Sequence, residues 1–229
     1  MIGIVIVAAV GLAGLVLGLS QILRGASNLG GANLELVKWG LQVLTVGVIG
    51  IVVSLMTQEW NRQRTRLETL ETTRLKFYED LIAAHVNNKR ARRLLRAFKS
   101  VSPENKNLHL ITAKVYDDYL AVINNVQLEL ESLNRRLNST PVLFLKREVI
   151  GVHISIVEEA LKRLVSEYER NRYHFTFPHS TMAIGNLRVL DDYLKPYDQS
   201  DIAKTIFRHI SFAEKEILID LIGDDPKKR

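Results

Sequence analysis

The densest group of chemically capable side chains is KRARRLLR, residues 89–96. Lys89, Arg90, Arg92, Arg93 and Arg96 place five cations in eight positions. Such a run can bind phosphate, on nucleic acid or on anionic lipid. It can also form an internal charge layer, and the expected turns favour that reading. A fold at about residue 103 sets Arg92 level with Asp117 and Asp118, and a second fold at about residue 140 brings in Glu158 and Glu159. Four carboxylates are then expected to neutralise the cluster. Its place near a helix C-terminus also suits cations, because the macrodipole is negative there. Nucleic acid is the least favoured partner. Residues 58–99 hold 11 basic and 5 acidic side chains, so the chain's net charge of +6 belongs to one helix.

The other candidate motifs fail on spacing. Helical di-metal sites use Glu-x-x-His, which sets both ligands on one helix face; none of the six histidines has an acidic residue three positions before it. His-Glu-x-x-His is absent, and with no cysteine there is no thiolate for zinc or iron–sulfur. His174-Phe175-Thr176 and His179-Ser180-Thr181 have the form of a paired His-x-Thr arrangement. They lie five residues apart, whereas the phosphoesterases that use such pairs hold them on distant strands. The segment is expected to plug a bundle end with Tyr173, Phe175 and Phe177. Phosphate-cradling glycine loops and a nucleophile elbow are also absent. No catalysis, cofactor or metal is expected.

The elements that would carry these residues begin with two apolar runs. Residues 1–57 contain only Arg24, Glu35 and Lys38 as charged side chains. Helices at about 2–23 and 39–57 are each long enough to cross roughly 30 Å of hydrocarbon, joined by an external turn over 24–38. Arginine and lysine crowd the stretch after the second run, which places both termini in the cytoplasm. The expected location is thus a bacterial cytoplasmic membrane, spanned twice. Gly11, Gly14 and Gly18 share one face of the first run; Gly47 and Gly50 share one face of the second. Helices in lipid associate by close backbone approach, so these five glycines are expected to pack the hairpin.

Residues 58–229 read as a cytoplasmic helical domain. No glycine or proline occurs between Ile51 and Ser102, so a long stalk helix follows the second span. Trp60, Gln63, Leu67, Leu70, Arg74, Phe77, Leu81, Ala84, Asn88, Ala91, Leu95 and Phe98 form a heptad seam along it. Packing within the chain is favoured over a dimeric coiled coil. Pro103 ends the helix. A second helix uses Tyr116, Tyr119, Ile123, Val126, Leu130, Leu133 and Leu137. Ser139-Thr140-Pro141 then reads as a start signal for a third, through Val142, Leu145, Val149, Val152, Ile156, Ala160 and Leu164. A short helix is expected over 181–194, and a last one after Ser200 through Ile202, Ile206, Ile210, Ala213 and Ile217. Period-2 alternation is almost absent, so no sheet is expected. The fold class is all-α: a two-helix transmembrane hairpin, a stalk, and an up-down antiparallel bundle.

Two functional readings follow. The first is a membrane-anchored cytoplasmic module that acts by protein–protein interaction or self-assembly, without catalysis; its partners are the lipid bilayer and a protein or a second copy. The alternative is an effector that oligomerises to perturb the bilayer. In general layout the chain is similar to the two-helix membrane effectors of bacterial conflict systems. Polar residues in the apolar runs are few, which favours the anchor.

Overall fold

The structure is a computed structural model that describes residues 20, 24, 31–105, 108–175 and 180–223. Five α-helices account for most of the described residues: α1 Gly31–Phe98, α2 Ala113–Ser139, α3 Arg147–Asn171, α4 Arg188–Leu194 and α5 Asp201–Ile222. Three short strands accompany them: β1 Ser100–Val101, β2 His109–Thr112 and β3 Thr181–Ala183. The chain divides into two units, Met1–Glu68 and Thr69–Arg229.

Among the described residues no helix is long and apolar enough to cross a membrane. This corrects the two-span placement and the localisation that rests on it. The run at 39–57 is not a separate helix matched to a bilayer. It is part of α1, which begins at Gly31 and continues into a charged segment. Residues 31–38, assigned above to an external turn, are helical. The first run, apart from Ser20, lies outside the described residues. In Met1–Glu68, α1 carries exposed apolar side chains, including Val46, Ile51, Trp60 and Leu67.

In Thr69–Arg229 the helices pack around one core. Along α1, Phe77, Leu81, Ala84, Ala91 and Leu95 are buried. Six of the seven seam residues expected in α2, Tyr116, Ile123, Val126, Leu130, Leu133 and Leu137, are buried; Tyr119 is half-buried against the core and Leu120 is buried beside it. Thr112 caps α2, its hydroxyl accepting from the Val115 amide at 3.3 Å, and Ser200 caps α5 by accepting from the Ala203 amide at 3.0 Å. All five seam residues expected in α5 are buried. The helix stops at Gly223, whose φ of 76° suits a residue without Cβ.

Matched side chains tie the helices together. Arg136 on α2 pairs with Asp80 on α1 at 2.6 Å, and the Phe98 and Tyr119 rings stack at 5.9 Å. Asn134 on α2 donates to Ser155 on α3 at 2.9 Å. His85 on α1 meets Glu214 on α5 at 2.6 Å. The loop before α3 is fastened at both ends of its reach: Arg74 donates to the Leu143 carbonyl, and the Leu145 amide donates to Asp220 at 2.7 Å.

Two local expectations are corrected. Pro141 does not start α3: residues 141–146 form turns, and the helix begins at Arg147. Leu143 and Phe144 dive into the core instead, with Phe144 edge-on to Phe77 at 5.2 Å. The phase of α3 shifts accordingly. Ile150, Ile154, Val157 and Leu161 are buried, whereas Val142, Leu145, Val149 and Val152 are exposed; Ala160 and Leu164, near the end of the expected seam, are buried as expected. A small antiparallel sheet also exists, in the order β1-β2-β3. Ser100 pairs with Leu110, and Ile111 with Met182. Strands of two to four residues are too short to show alternation. The segment expected at 181–194 as one helix is β3, a 3-10 turn over Ile184–Asn186, and α4.

Candidate functional site

The basic run 89–96 lies in the last turns of α1, where Ala91 and Leu95 anchor the helix in the core. Lys89 and Arg93, four residues apart, point along one face. On α5, Arg208, Ser211, Phe212 and Lys215 recur at spacings of three, one and three, which is again one helical face. A 3-10 turn over Tyr197–Gln199 adds Tyr197. Together with Arg92 and Phe207 these residues line a cleft of about 610 Å³. Five of the lining side chains are cationic and none is acidic.

Arg92 is the unusual member, only 7% exposed. Its Nε donates to the Tyr193 carbonyl at 2.7 Å, and one Nη donates to the Lys195 carbonyl at 2.5 Å. Its guanidinium lies 5.6 Å from the Tyr193 ring centre and 5.8 Å from that of Phe207. Burial pushes its pKa down, with Arg96 nearby adding to the effect, yet arginine stays charged in proteins. Neutral carbonyls and ring faces orient this charge without cancelling it. Aromatic rings hold other cations of the cleft in place: Lys89 sits 5.6 Å from the Phe207 centre and Arg208 5.5 Å from that of Phe212.

The expected charge layer can be compared residue by residue. Asp117 pairs with Arg172 at 2.6 Å and accepts from the Tyr168 hydroxyl at 2.9 Å. Asp118 meets Lys114 at 3.2 Å, one turn back. Burial and then the neighbouring Glu131 push the Glu158 carboxyl upward, opposed by Lys162. Glu159 lines a second cavity of about 780 Å³, which also holds Arg147, Glu148 and Arg163. Among the described residues none of these four carboxylates pairs with Lys89, Arg90, Arg92, Arg93 or Arg96. Register explains the difference. Asp80 faces Arg136 and Phe98 faces Tyr119, so Arg92 is level with the uncharged stretch from Ile123 to Val126. Asp117 and Asp118 lie level with the end of α1, past the cluster.

The remaining sequence candidates fall as follows. Gly11, Gly14 and Gly18 lie outside the described residues. Among the described residues, an added Cβ at Gly47 or Gly50 meets nothing within 4 Å. Tyr173 is 73% exposed, Phe175 is buried against Tyr116 at 5.8 Å, and Phe177 lies outside the described residues. Among the described residues no group of three or more potential metal ligands occurs.

Several polar features have no motif to announce them. His153 and His209 meet Nδ1 to Nδ1 at 2.8 Å, bridging α3 and α5. Burial, His153 and Arg208 together lower the His209 pKa. The signal available for the cleft was the polar face of α5, where Arg208 and Lys215 bracket Phe212 two turns apart. No protein-family model, curated protein or solved structure matches the chain.

Proposed function

We propose that the chain is a non-catalytic helical module that works by protein–protein interaction or self-assembly, built as an up-down antiparallel bundle. The bundle order is supported by the opposed numbering of the contacts: 80 with 136 but 98 with 119, and 134 with 155 but 117 with 168. The observation that carries the function is the divided seam of α1. From Phe77 to Leu95 the seam is buried in the chain's own core, yet Trp60 and Leu67 are 65% and 61% exposed. A heptad seam continued past its own core is a surface for another helix. The bilayer-perturbing alternative required two membrane-crossing helices and is not retained.

Self-assembly is tested by light scattering on the full chain. The expected result is an oligomer that dissociates when Trp60→Glu and Leu67→Glu are combined. A monomer at micromolar concentration that captures no helical partner through these residues refutes the reading.

A further inference from the structure

We propose that the cleft between α1 and α5 binds a nucleoside polyphosphate, with the phosphate chain on the cations and the base on Tyr197. This assignment is independent of self-assembly and concerns a different surface.

The argument begins with uncompensated charge. A buried ion is normally paired, because taking a charge out of water costs several kcal/mol even after relaxation. Arg92 is buried, and among the described residues it has no carboxylate partner. Lys89, Arg93, Arg208 and Lys215 face the same space, and the described residues show no ion pair for any of them. Elsewhere in the same unit, cations do find carboxylates: Arg136 with Asp80, Arg172 with Asp117, Lys146 with Glu216. What sets the cleft apart is convergence: five cations without a carboxylate partner among the described residues line one space, and Arg92 among them is buried. An anion supplied from outside would complete the pairing.

Several features select the kind of anion. Guanidinium groups match phosphate oxygens with paired N–H donors, and lysines add point charge. Five cations around one space suit several negative charges rather than a single carboxylate. The Ser211 hydroxyl adds a neutral donor. The volume, about 610 Å³, lies within the range of small-molecule sites, roughly 300–1,000 Å³. The lining spans one turn of α1 and two turns of α5, about 12 Å on the longer side. That holds one nucleotide and gives no extended track for a strand.

The rings divide into two roles. Phe207 is already faced by Lys89 and Arg92, and Phe212 by Arg208 on one side and by His153, stacked at 5.4 Å. These rings hold cations in position. Tyr197 is 49% exposed, its ring centre lies 6.0 Å from that of Phe207, and among the described residues it carries no cation over its face. It is the platform left for a planar base.

The test uses the full chain and calorimetric titration with three probes: ATP, inorganic tripolyphosphate and a twelve-residue single-stranded oligonucleotide, the last of roughly the length one single-strand-binding domain covers. ATP should bind at one site per chain and more tightly than tripolyphosphate. Arg208→Glu combined with Lys215→Glu reverses two exposed charges and should weaken both ligands at least tenfold, with unchanged thermal melting of the unliganded protein. Tyr197→Ala should weaken ATP several-fold and leave tripolyphosphate unchanged. The proposal is overturned by absence of ATP binding, or by ATP affinity that survives the charge reversal. Tighter binding of the oligonucleotide than of ATP makes the surface a nucleic-acid site and also overturns it. Equal affinity for ATP and tripolyphosphate, with no effect of Tyr197→Ala, leaves only a bare anion site and overturns the nucleotide assignment.

Discussion

Glu167 offers the sharpest test of how the core is held. It lies on α3, 5% exposed, and its two carboxylate oxygens accept from the backbone amides of Val189 at 2.9 Å and Leu190 at 2.8 Å. Those amides belong to the first turn of α4, a helix of seven residues whose own N-cap, Leu187, supplies no side-chain hydrogen bond. A carboxylate from another helix therefore does the work of a cap, and its charge also suits the positive end of the helix dipole. Hydrogen bonds to an ionised group contribute about 1.5–3 kcal/mol each. Glu167→Ala removes two and strands two amides, one buried and one half-buried. Water can reach the second in part, so the expected cost is about 3–4 kcal/mol. For a domain of this size, each kcal/mol lowers Tm by about 2–4 °C. The alanine variant should then melt roughly 6–16 °C lower by circular dichroism. Glu167→Gln keeps one acceptor oxygen and turns an NH2 toward the other amide, so it should fall between wild type and alanine. Amide exchange at Leu190 should accelerate in both variants. An alanine variant melting within about 2 °C of wild type would show that α4 is held by its apolar contacts alone.

Two further outcomes are expected. Tyr193→Phe removes the hydroxyl that donates to Asn88 Oδ1 at 2.7 Å; as Asn88 Nδ2 has no hydrogen-bond partner among the described residues, the buried amide loses its hydrogen bond. The cost should be about 1–3 kcal/mol in urea unfolding, against nearly zero if water enters the gap. His209 has a folded pKa below the ordinary imidazole value of about 6.5, so the native state binds its proton less readily than the unfolded state. The stability this group supplies is complete above about pH 6.5 and is lost as pH falls through the lower folded value. Wild type should therefore lose more Tm than His209→Gln between pH 7.5 and 5.5, and parallel curves would refute the assignment.

Helix seams were legible where one face meets one core. In α2 and α5 the apolar spacing identifies most of the buried residues; Ser200 caps α5 where its start was expected, and Thr112 caps α2. In α3 the same method fails over the first half and holds only at Ala160 and Leu164. Pro141 after Ser139-Thr140 has the chemistry of a helix start, but tertiary burial of Leu143 and Phe144 wins, and the seam phase moves with the delayed start. The sheet was invisible because its longest strand has four residues. For the site, the basic run was visible but its surroundings were not. Counting levels from assumed turns ignores α5, which reaches the flank of α1 from the far end of the chain. A register set by Asp80–Arg136 and Phe98–Tyr119 cannot be read from loop lengths. The apolar run at 39–57 carried the membrane expectation, yet it is one stretch of a 68-residue helix.

The grip of Arg92 on the Tyr193 and Lys195 carbonyls spans 101 and 103 positions of sequence. Chains emerge from the ribosome from the N-terminus at about 5–20 residues per second. Several seconds therefore separate the synthesis of Arg92 from that of the carbonyls that receive it, and the helix bearing Phe207, Arg208 and Lys215 comes later still. During that interval the basic turns of α1 lack the flank that the Tyr193–Lys195 segment and α5 later supply. Closing so long a loop costs entropy before any contact repays it, so this corner should be among the last to assemble. A chain truncated before Tyr193 would keep Lys89, Arg92 and Arg93 and lose both the scaffold that orders them and the α5 cations, leaving a nascent helix whose charge attracts anions without discrimination.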